Sequence, residues 1–229
     1  MPEYTYNLKL ARQIQGILVK AGFSGATLIT VQGIGKSQLL MRSARANALD
    51  VNLLLSIHHD DVQDSYHAKW TYKGVSRVFS DRFSGHSLFI SRQNPQFEAS
   101  LAFAKLLGAG LIARGMRYSS HHSEPIPGEA RQLIDDQAGV YLYDQLVVLK
   151  SAKSPAVLLE AGVIVNRAEE LVLGSVERRR EIAAAVLDAV NQFCAERQHP
   201  ETKARQSNGG SDAPRPGGLR RARPTLSTP

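Results

Sequence analysis

Short apolar runs alternate with longer amphipathic segments along most of this chain. Near the start, apolar and small residues recur at helical spacing, namely Leu8, Ala11, Ile14, Leu18 and Ala21. Gly22 follows them as a typical helix C-cap. The same spacing predicts further helices at residues 37–49, 94–111, 167–173 and 176–197. The chain therefore contains at least five predicted helices.

The apolar runs between these helices predict short β-strands. We expect strands at residues 26–31, 51–58, 74–80, 87–91, 146–149 and 156–159, the third and fourth being candidates for a β-ribbon. The runs at 51–57 and 156–159 are continuously apolar, which is typical of strands buried on both faces of a parallel sheet. Strands that alternate with helices predict an α/β fold, with a mostly parallel twisted sheet and helices on both faces.

Two of the buried strands end abruptly in polar residues. The first runs into His58, His59, Asp60 and Asp61, and the strand at 156–159 runs into Glu160. Ligand-binding groups of open α/β sheets lie just past the carboxyl ends of the strands. Histidine with carboxylate is the ligand and base chemistry of a hydrolytic zinc site. The alternative interpretation is that these residues are caps or ordinary surface groups.

Alternation along the first strand separates its two histidines. Successive side chains of a strand point to opposite faces, so His59 is expected to face away from His58. Asp60, two residues after His58, could orient an imidazole. The alternative for Asp60 is a turn cap.

The connection at residues 114–144 is long and polar. Its histidines and acidic residues are His121, His122, Glu124 and Glu129. A connection of this length in a compact domain tends to be functional or mobile.

Gly35-Lys36-Ser37 suggests a phosphate-binding loop, but the full motif is not present. That motif requires a glycine five residues before Gly35, where Thr30 stands. Nucleotide binding is therefore not favoured. A strand-to-helix turn with Ser37 near a helix start is the simpler interpretation.

Composition divides the 229 residues into two parts. Six basic and two acidic residues follow Pro200, so this segment carries +4 of the net charge of +7. It is rich in Pro, Gly, Ser and Arg, which predicts a disordered basic tail at 200–229 after a single domain at 1–199. No aromatic residue lies between its arginines, so we expect loose electrostatic attraction rather than specific nucleic-acid binding.

Neither a transmembrane segment nor a signal peptide is visible in the sequence. The lone Cys194 excludes an internal disulfide, and a packed position in a helix is expected for it.

Several segments together resemble zinc-dependent N-acetylmuramoyl-L-alanine amidases of bacterial cell-wall turnover. They are EYTYNLKLA, RSARANAL, SIHHD, LFISRQNP and LVVLKSAKSPAVLLEAGVIVN, in this order. The SIHHD and LLEAGVIVN segments correspond to the family's Ser-Ile-His-Ala-Asp-like and Val-Glu-Thr-Gly-Phe-Leu-Ser-Asn-like motifs. The resemblance extends from Glu3 to about Phe193.

The resemblance implies roles for particular residues. Glu3 and His58 resemble zinc ligands, and Glu160 resembles the catalytic glutamate. Asn166 and either Glu169 or Glu170 match the polar end of the last motif. The implied reaction is hydrolysis of the amide between N-acetylmuramic acid and L-alanine in peptidoglycan, with zinc as cofactor. The implied location is the cell envelope, with peptidoglycan or muropeptides as substrate and an activator protein as a candidate partner.

One departure from the family pattern concerns the metal. The family opens with a strand and a Gly-His-Gly-like motif that supplies the first zinc histidine, and neither precedes Glu3 here. We expect an N-terminally truncated sequence; the alternative is a degenerate, non-catalytic peptidoglycan-binding relative. With two ligands, this chain is expected to bind zinc weakly and to cleave little.

The long connection offers two ways to alter this site. His121 and His122 are candidates for a replacement ligand, although histidines of polar loops are usually solvated. Some amidases carry a regulatory helix at this place, so Glu124 or Glu129 is a candidate cap over the zinc. The simpler interpretation is that the connection forms a wall of the substrate groove.

Overall fold

A computed structural model describes residues 2–31, 33, 35–127 and 130–198. The compact unit comprises residues 1–194. Of the residues that follow it, the structure describes 195–198, which are the last turn of the final helix. The predicted tail at 200–229 and its boundary at 199 lie outside the described residues and stay predictions. The helices are α1 (Glu3–Lys20), α2 (Lys36–Ala48), α3 (Phe97–Ile112), α4 (Val147–Lys150), α5 (Arg167–Leu173) and α6 (Val176–Gln198).

Five of the strands form a central sheet in the order β1-β7-β4-β6-β5. The strands are β1 (Leu54–Asp60), β2 (Ala68–Tyr72), β3 (Val75–Phe79), β4 (Ser87–Ile90), β5 (Leu133–Asp135), β6 (Val140–Leu142) and β7 (Ala156–Val163). The β1–β7 and β4–β6 ladders are parallel, and the β7–β4 and β6–β5 ladders are antiparallel, with β1–β7 the longest of the four. Most paired positions are thus parallel, and the predicted α/β class is confirmed.

Helices cover both faces of this sheet. On one face, apolar side chains of α1, α3 and α6 pack against alternate sheet residues such as Leu88, Val157 and Leu159. On the other face, Val148 and Leu149 of α4 pack against a smaller cluster that includes Phe89, Tyr141 and Leu158. Because successive strand residues point to opposite faces, each buried strand supplies both cores. This explains why the sequence of β7 is apolar almost throughout.

Two strand predictions and one pairing prediction were wrong. Residues 26–31 contain several β-branched residues but pair with no described strand. Residues 146–149 form the start of α4 instead of a strand, because their apolar side chains cover the sheet from outside. The expected ribbon of 74–80 with 87–91 does not form, since β3 pairs with β2 whereas β4 enters the central sheet.

The connection at 114–144 is less irregular than its composition suggested. It contains β5 and β6, which form one edge of the central sheet, and a 3₁₀ turn at His121–Ser123. Of the described helices, none combines the length and apolar composition needed to cross a membrane.

Candidate active site

The parallel pairing of β1 with β7 brings His58 and Glu160 together. These two residues are direct partners across the ladder, so their side chains stand on the same face of the sheet. The register then shifts, with Asp60 opposite Val163. This shift places one extra residue in β7, a β-bulge of the kind that re-aims side chains near functional sites.

Glu3 approaches His58 from the start of α1. The Nδ1 atom of His58 lies 3.0 Å from Oε1 of Glu3. Both side chains are partly exposed, with 26% of His58 and 44% of Glu3 accessible to solvent. Burial opposes ionisation of Glu3, but its hydrogen bonds with His58 and Asn7 outweigh this effect and lower the pKa of Glu3. The structure therefore brings together the two residues predicted as metal ligands.

His59 faces the opposite side of the sheet, as strand alternation predicted. It is buried against the ring of Tyr6, and its Nδ1 atom lies 2.7 Å from Oδ1 of Asn7. Burial lowers the pKa of His59 to about 4, so its ring is neutral near pH 7. Asn7 in turn donates from Nδ2 to Glu3 Oε1 at 2.8 Å. His59 and Asn7 thus hold Glu3 in place, a role the sequence reasoning missed.

Glu160 is a partly buried residue of β7 whose Oε2 atom is shielded from solvent. Its Oε2 atom accepts no hydrogen bond from the residues that the structure describes. Burial raises the pKa of Glu160 well above its usual value, and the negative charges of Asp60 and Glu3 raise it further. Because the unionised form is favoured in this environment, the group is suited to hold a proton and release it again.

Beside Glu160, Asp60 meets the two histidines of the long connection. The Nε2 atoms of His122 and His121 lie 2.7 and 3.1 Å from the same oxygen of Asp60, Oδ2. All three side chains are largely buried, and His121 is only 1% exposed. We call these three residues the triad. The turn-cap interpretation of Asp60 was wrong, and so was the expectation that the two histidines are solvated.

The triad is held in place by neighbouring polar and aromatic groups. Nδ1 of His121 lies 2.8 Å from the hydroxyl of Ser119, and Tyr141 donates to the carbonyl of Ser119 at 2.7 Å. The ring of His122 packs edge-on against Phe89 at 4.7 Å between centroids. These contacts fix both imidazoles on the wall formed by β4 and β6.

The residues at the polar end of the last motif have structural contacts. Asn166 caps α5 by accepting from the amides of Ala168 and Glu169, and it donates to the carbonyl of Phe83. Glu169 accepts from the amides of Gly85 and Val163. The motif therefore ties α5 to the segment before β4.

One other acidic residue of this motif and one of the connection also accept hydrogen bonds. Glu170 accepts from the hydroxyl of Tyr6. Glu124 accepts from the hydroxyl of Tyr66 at 3.0 Å and lies 3.4 Å from Arg82. Glu124 was a candidate cap over the metal, but here its carboxylate contacts Tyr66 and Arg82 instead. Glu129 lies outside the described residues.

The two groups of possible ligands can be compared with zinc geometry. Two ligands of a tetrahedral zinc ion lie about 3.4 Å apart. The 3.0 Å between His58 and Glu3 is close to this value, so the pair fits two positions of such an ion. Of the described residues, only the triad brings three possible ligand atoms within 4.8 Å of one another. The donor types of both groups suit zinc.

A buried carboxyl group beside possible metal ligands, at the carboxyl ends of parallel strands, is the arrangement expected of an α/β hydrolase with a metal-assisted reaction. The family model for N-acetylmuramoyl-L-alanine amidases matches residues 1–192, so the chain belongs to this family of cell-wall hydrolases. None of the curated proteins compared with the chain matches it.

Solved structures show the same fold. Ami1, an amidase from Mycobacterium smegmatis, is 20% identical, with 85% of this chain and 78% of that chain covered and a TM-score of 0.61. The catalytic domain of CwlV from Bacillus (Paenibacillus) polymyxa var. colistinus is 22% identical, with 84% and 85% covered and a TM-score of 0.57. The CwlD amidase from Clostridioides difficile, in complex with the GerS lipoprotein, is 15% identical, with 85% and 87% covered and a TM-score of 0.57.

Proposed function

We propose that the protein hydrolyses the amide bond between N-acetylmuramic acid and L-alanine in peptidoglycan, with zinc as cofactor. The observation that carries the proposal is the pairing of partly buried Glu160 with His58 across the β1–β7 ladder, in a chain of the amidase family. The Glu3–His58 pair would hold the metal. Zinc lowers the pKa of a bound water to about 7 and polarises a carbonyl group.

Glu160 acts as the general base and then as the general acid. In its ionised form it accepts a proton from the attacking water as the new C–O bond forms. It then delivers this proton to the nitrogen of L-alanine as the C–N bond breaks, so that the leaving group departs as a neutral amine. Its raised pKa favours the second step, because a carboxyl group that holds its proton more tightly is available as an acid nearer to neutral pH.

Replacement of Glu160 by Gln tests this assignment. We expect Glu160→Gln to lower turnover by about 100-fold or more, since general acid–base catalysis contributes 10²–10⁴-fold. The assay follows release of stem peptides from purified peptidoglycan in the presence of zinc. Glu98→Gln is the matched control, because it makes the same chemical change on an exposed turn of α3. Unchanged turnover in Glu160→Gln would refute the role of this residue.

A second candidate function is non-catalytic binding of peptidoglycan. It is favoured by one observation, the presence of two possible ligands rather than three at the Glu3–His58 pair. Such a site is expected to bind zinc weakly and to support little turnover. A binding module would retain its affinity for peptidoglycan in the Glu160→Gln variant, and both the wild type and the variant would lack turnover.

The proposed substrate implies a place of action and a type of partner. Peptidoglycan lies in the cell envelope, so we propose that the protein acts there. The structural similarity to CwlD, which was solved in complex with the GerS lipoprotein, supports the proposal that this amidase binds a partner protein, and we propose that this partner is an activator. Co-purification of a partner that raises stem-peptide release would test this proposal.

A further inference from the structure

The triad has the composition and the spacing of a metal centre in its own right. It offers two imidazole nitrogens and one carboxylate oxygen, the donor set found in catalytic zinc sites with three protein ligands. The two nitrogens lie 2.7 and 3.1 Å from Asp60 Oδ2, so each distance would lengthen by less than about 1 Å to reach the ~3.4 Å between two ligands of a tetrahedral ion. The Glu3–His58 pair, in contrast, offers two ligands.

The Nε2 atom of His121 supports this interpretation. It is buried and makes no well-directed hydrogen bond with any described group, although Asp60 lies 3.1 Å away. A nitrogen this deeply buried is normally hydrogen-bonded, so one without a well-directed partner needs an explanation. Coordination of an ion that also contacts Asp60 would use the lone pair of this nitrogen.

The other nitrogen of His121 has the partner that a metal ligand needs. Nδ1 lies 2.8 Å from the hydroxyl of Ser119, which is itself buried. When Nδ1 carries the proton and donates to this oxygen, Nε2 presents a lone pair towards Asp60. Histidine ligands commonly donate their second ring N–H in this way, and the bond fixes the orientation of the ring.

The position of the triad separates it from the Glu3–His58 pair. His58 and Asp60 stand on the same face of β1, two residues apart, but their partners come from different parts of the chain. Glu3 is part of α1, whereas His121 and His122 belong to the connection before β5. The charges of Glu3 and Asp60 both act on Glu160. The buried carboxyl group therefore lies within reach of both groups of ligands.

We infer that Asp60, His121 and His122 form a divalent-metal site that binds Zn²⁺ or Co²⁺ independently of Glu3 and His58. This inference concerns metal binding alone and does not depend on the amidase reaction. It changes the expectation for the whole chain from weak to stoichiometric metal binding, with one ion held by the triad.

Titration of the metal-free full chain with Co²⁺ tests the inference, because Co²⁺ with nitrogen ligands absorbs visible light. Wild type and the double variant Glu3→Gln/His58→Asn are expected to bind one equivalent with similar affinity. Asp60→Asn keeps a hydrogen-bonding oxygen for His122 but loses the carboxylate charge, and we expect its affinity for Co²⁺ to fall at least about 100-fold. Loss of an outer-shell partner already costs 10–100-fold.

Three results would overturn the inference. They are no stoichiometric binding by wild type, loss of binding in the double variant, or full binding by Asp60→Asn. Should Asp60→Asn fail to fold, the double variant still decides the question, because its triad is intact. Bound metal must then raise its melting temperature with concentration as well. Stem-peptide release is measured in parallel: metal binding without release refutes the proposed function alone, and release without binding at the triad refutes this inference alone.

Discussion

The Glu3–His58 pair and the Asp60–His121–His122 triad are built from the same side-chain types at neighbouring positions, yet they differ in burial. The pair lies at the rim, with 44% of Glu3 and 26% of His58 exposed. The triad lies inside, with 1% of His121 and 12% of Asp60 exposed. Water screens the charges of the rim pair and can replace its hydrogen bonds, whereas the buried triad has no such substitute. The pair and the triad are therefore expected to contribute unequally to the free energy of unfolding.

Removal of the carboxylate from each group in turn should give the largest difference in the free energy of unfolding. Asp60→Ala leaves largely buried His122 without its hydrogen-bond partner and removes the carboxylate beside buried His121, which should lower the free energy of unfolding by about 3 kcal/mol. Glu3→Ala breaks an exposed contact and should cost less than about 1 kcal/mol. Urea unfolding of both variants in the presence of a chelator measures the two values. Equal losses would show that burial does not distinguish the two groups.

A change in the support of the triad, away from its ligands, should have a smaller effect. Gly139 has φ +70°, and a Cβ atom there would lie 2.3 Å from Cβ of Tyr118. Gly139→Ala would therefore displace Tyr118 and the adjoining Ser119, which contacts His121. We expect a loss of about 2 kcal/mol in stability and weaker Co²⁺ binding by the triad.

Gly115→Ala is the matched control for this change. Gly115 also has a positive φ, of +76°, but a Cβ atom there meets nothing within 4 Å. Its cost should be limited to the backbone strain of about 1 kcal/mol. Equal metal affinity in Gly139→Ala and Gly115→Ala would contradict the proposed support by Tyr118 and Ser119.

Part of this site, namely the two strands and the polar residues at their ends, could be predicted from the sequence. Buried parallel strands read as continuous apolar runs, so β1, β7 and the polar residues His58 and Glu160 at their ends were visible without the structure. The opposite orientation of His59 followed from strand alternation alone. Glu3 was identified only through the family resemblance, because nothing in the pattern of α1 reveals which sheet residue its first turn meets.

The triad could not be predicted because its contacts are distant in sequence and lack periodicity. Asp60 and His122 are separated by 62 positions along the chain. The histidines follow a polar stretch whose composition suggests solvent exposure, and their burial depends on how β5 and β6 join the sheet edge. The misassigned run at 146–149 has the same cause, since a short apolar run fits either a strand or a helix. Its tertiary position above the sheet decided the outcome.

The smallest expected effect concerns Glu160, which lies near both groups. Its pKa is raised in the folded protein by burial and by the charges of Asp60 and Glu3, so the folded state binds this proton more tightly than the unfolded state does. Stability should therefore fall as the pH rises above 4.5, the usual pKa of glutamate, and through the raised pKa. Glu160→Gln removes this loss. At pH 8 the variant should melt about 2–4 °C above wild type, the shift that 1 kcal/mol gives in a chain of this size.

The pH dependence of this difference distinguishes the charge of Glu160 from its shape. At pH 4 both proteins carry a neutral side chain at this position, so their melting temperatures should converge. Glu169→Gln is the control, because the Glu169 carboxylate accepts from the amides of Gly85 and Val163, and an NH₂ group in place of one oxygen would face these donors. It should lower the melting temperature at pH 8, and less at pH 4, because burial raises the pKa of Glu169 and leaves this side chain protonated there. A Glu160→Gln variant that melts below wild type at pH 8 would mean that the ionised carboxylate has a stabilising partner, which a metal-free chain should not supply.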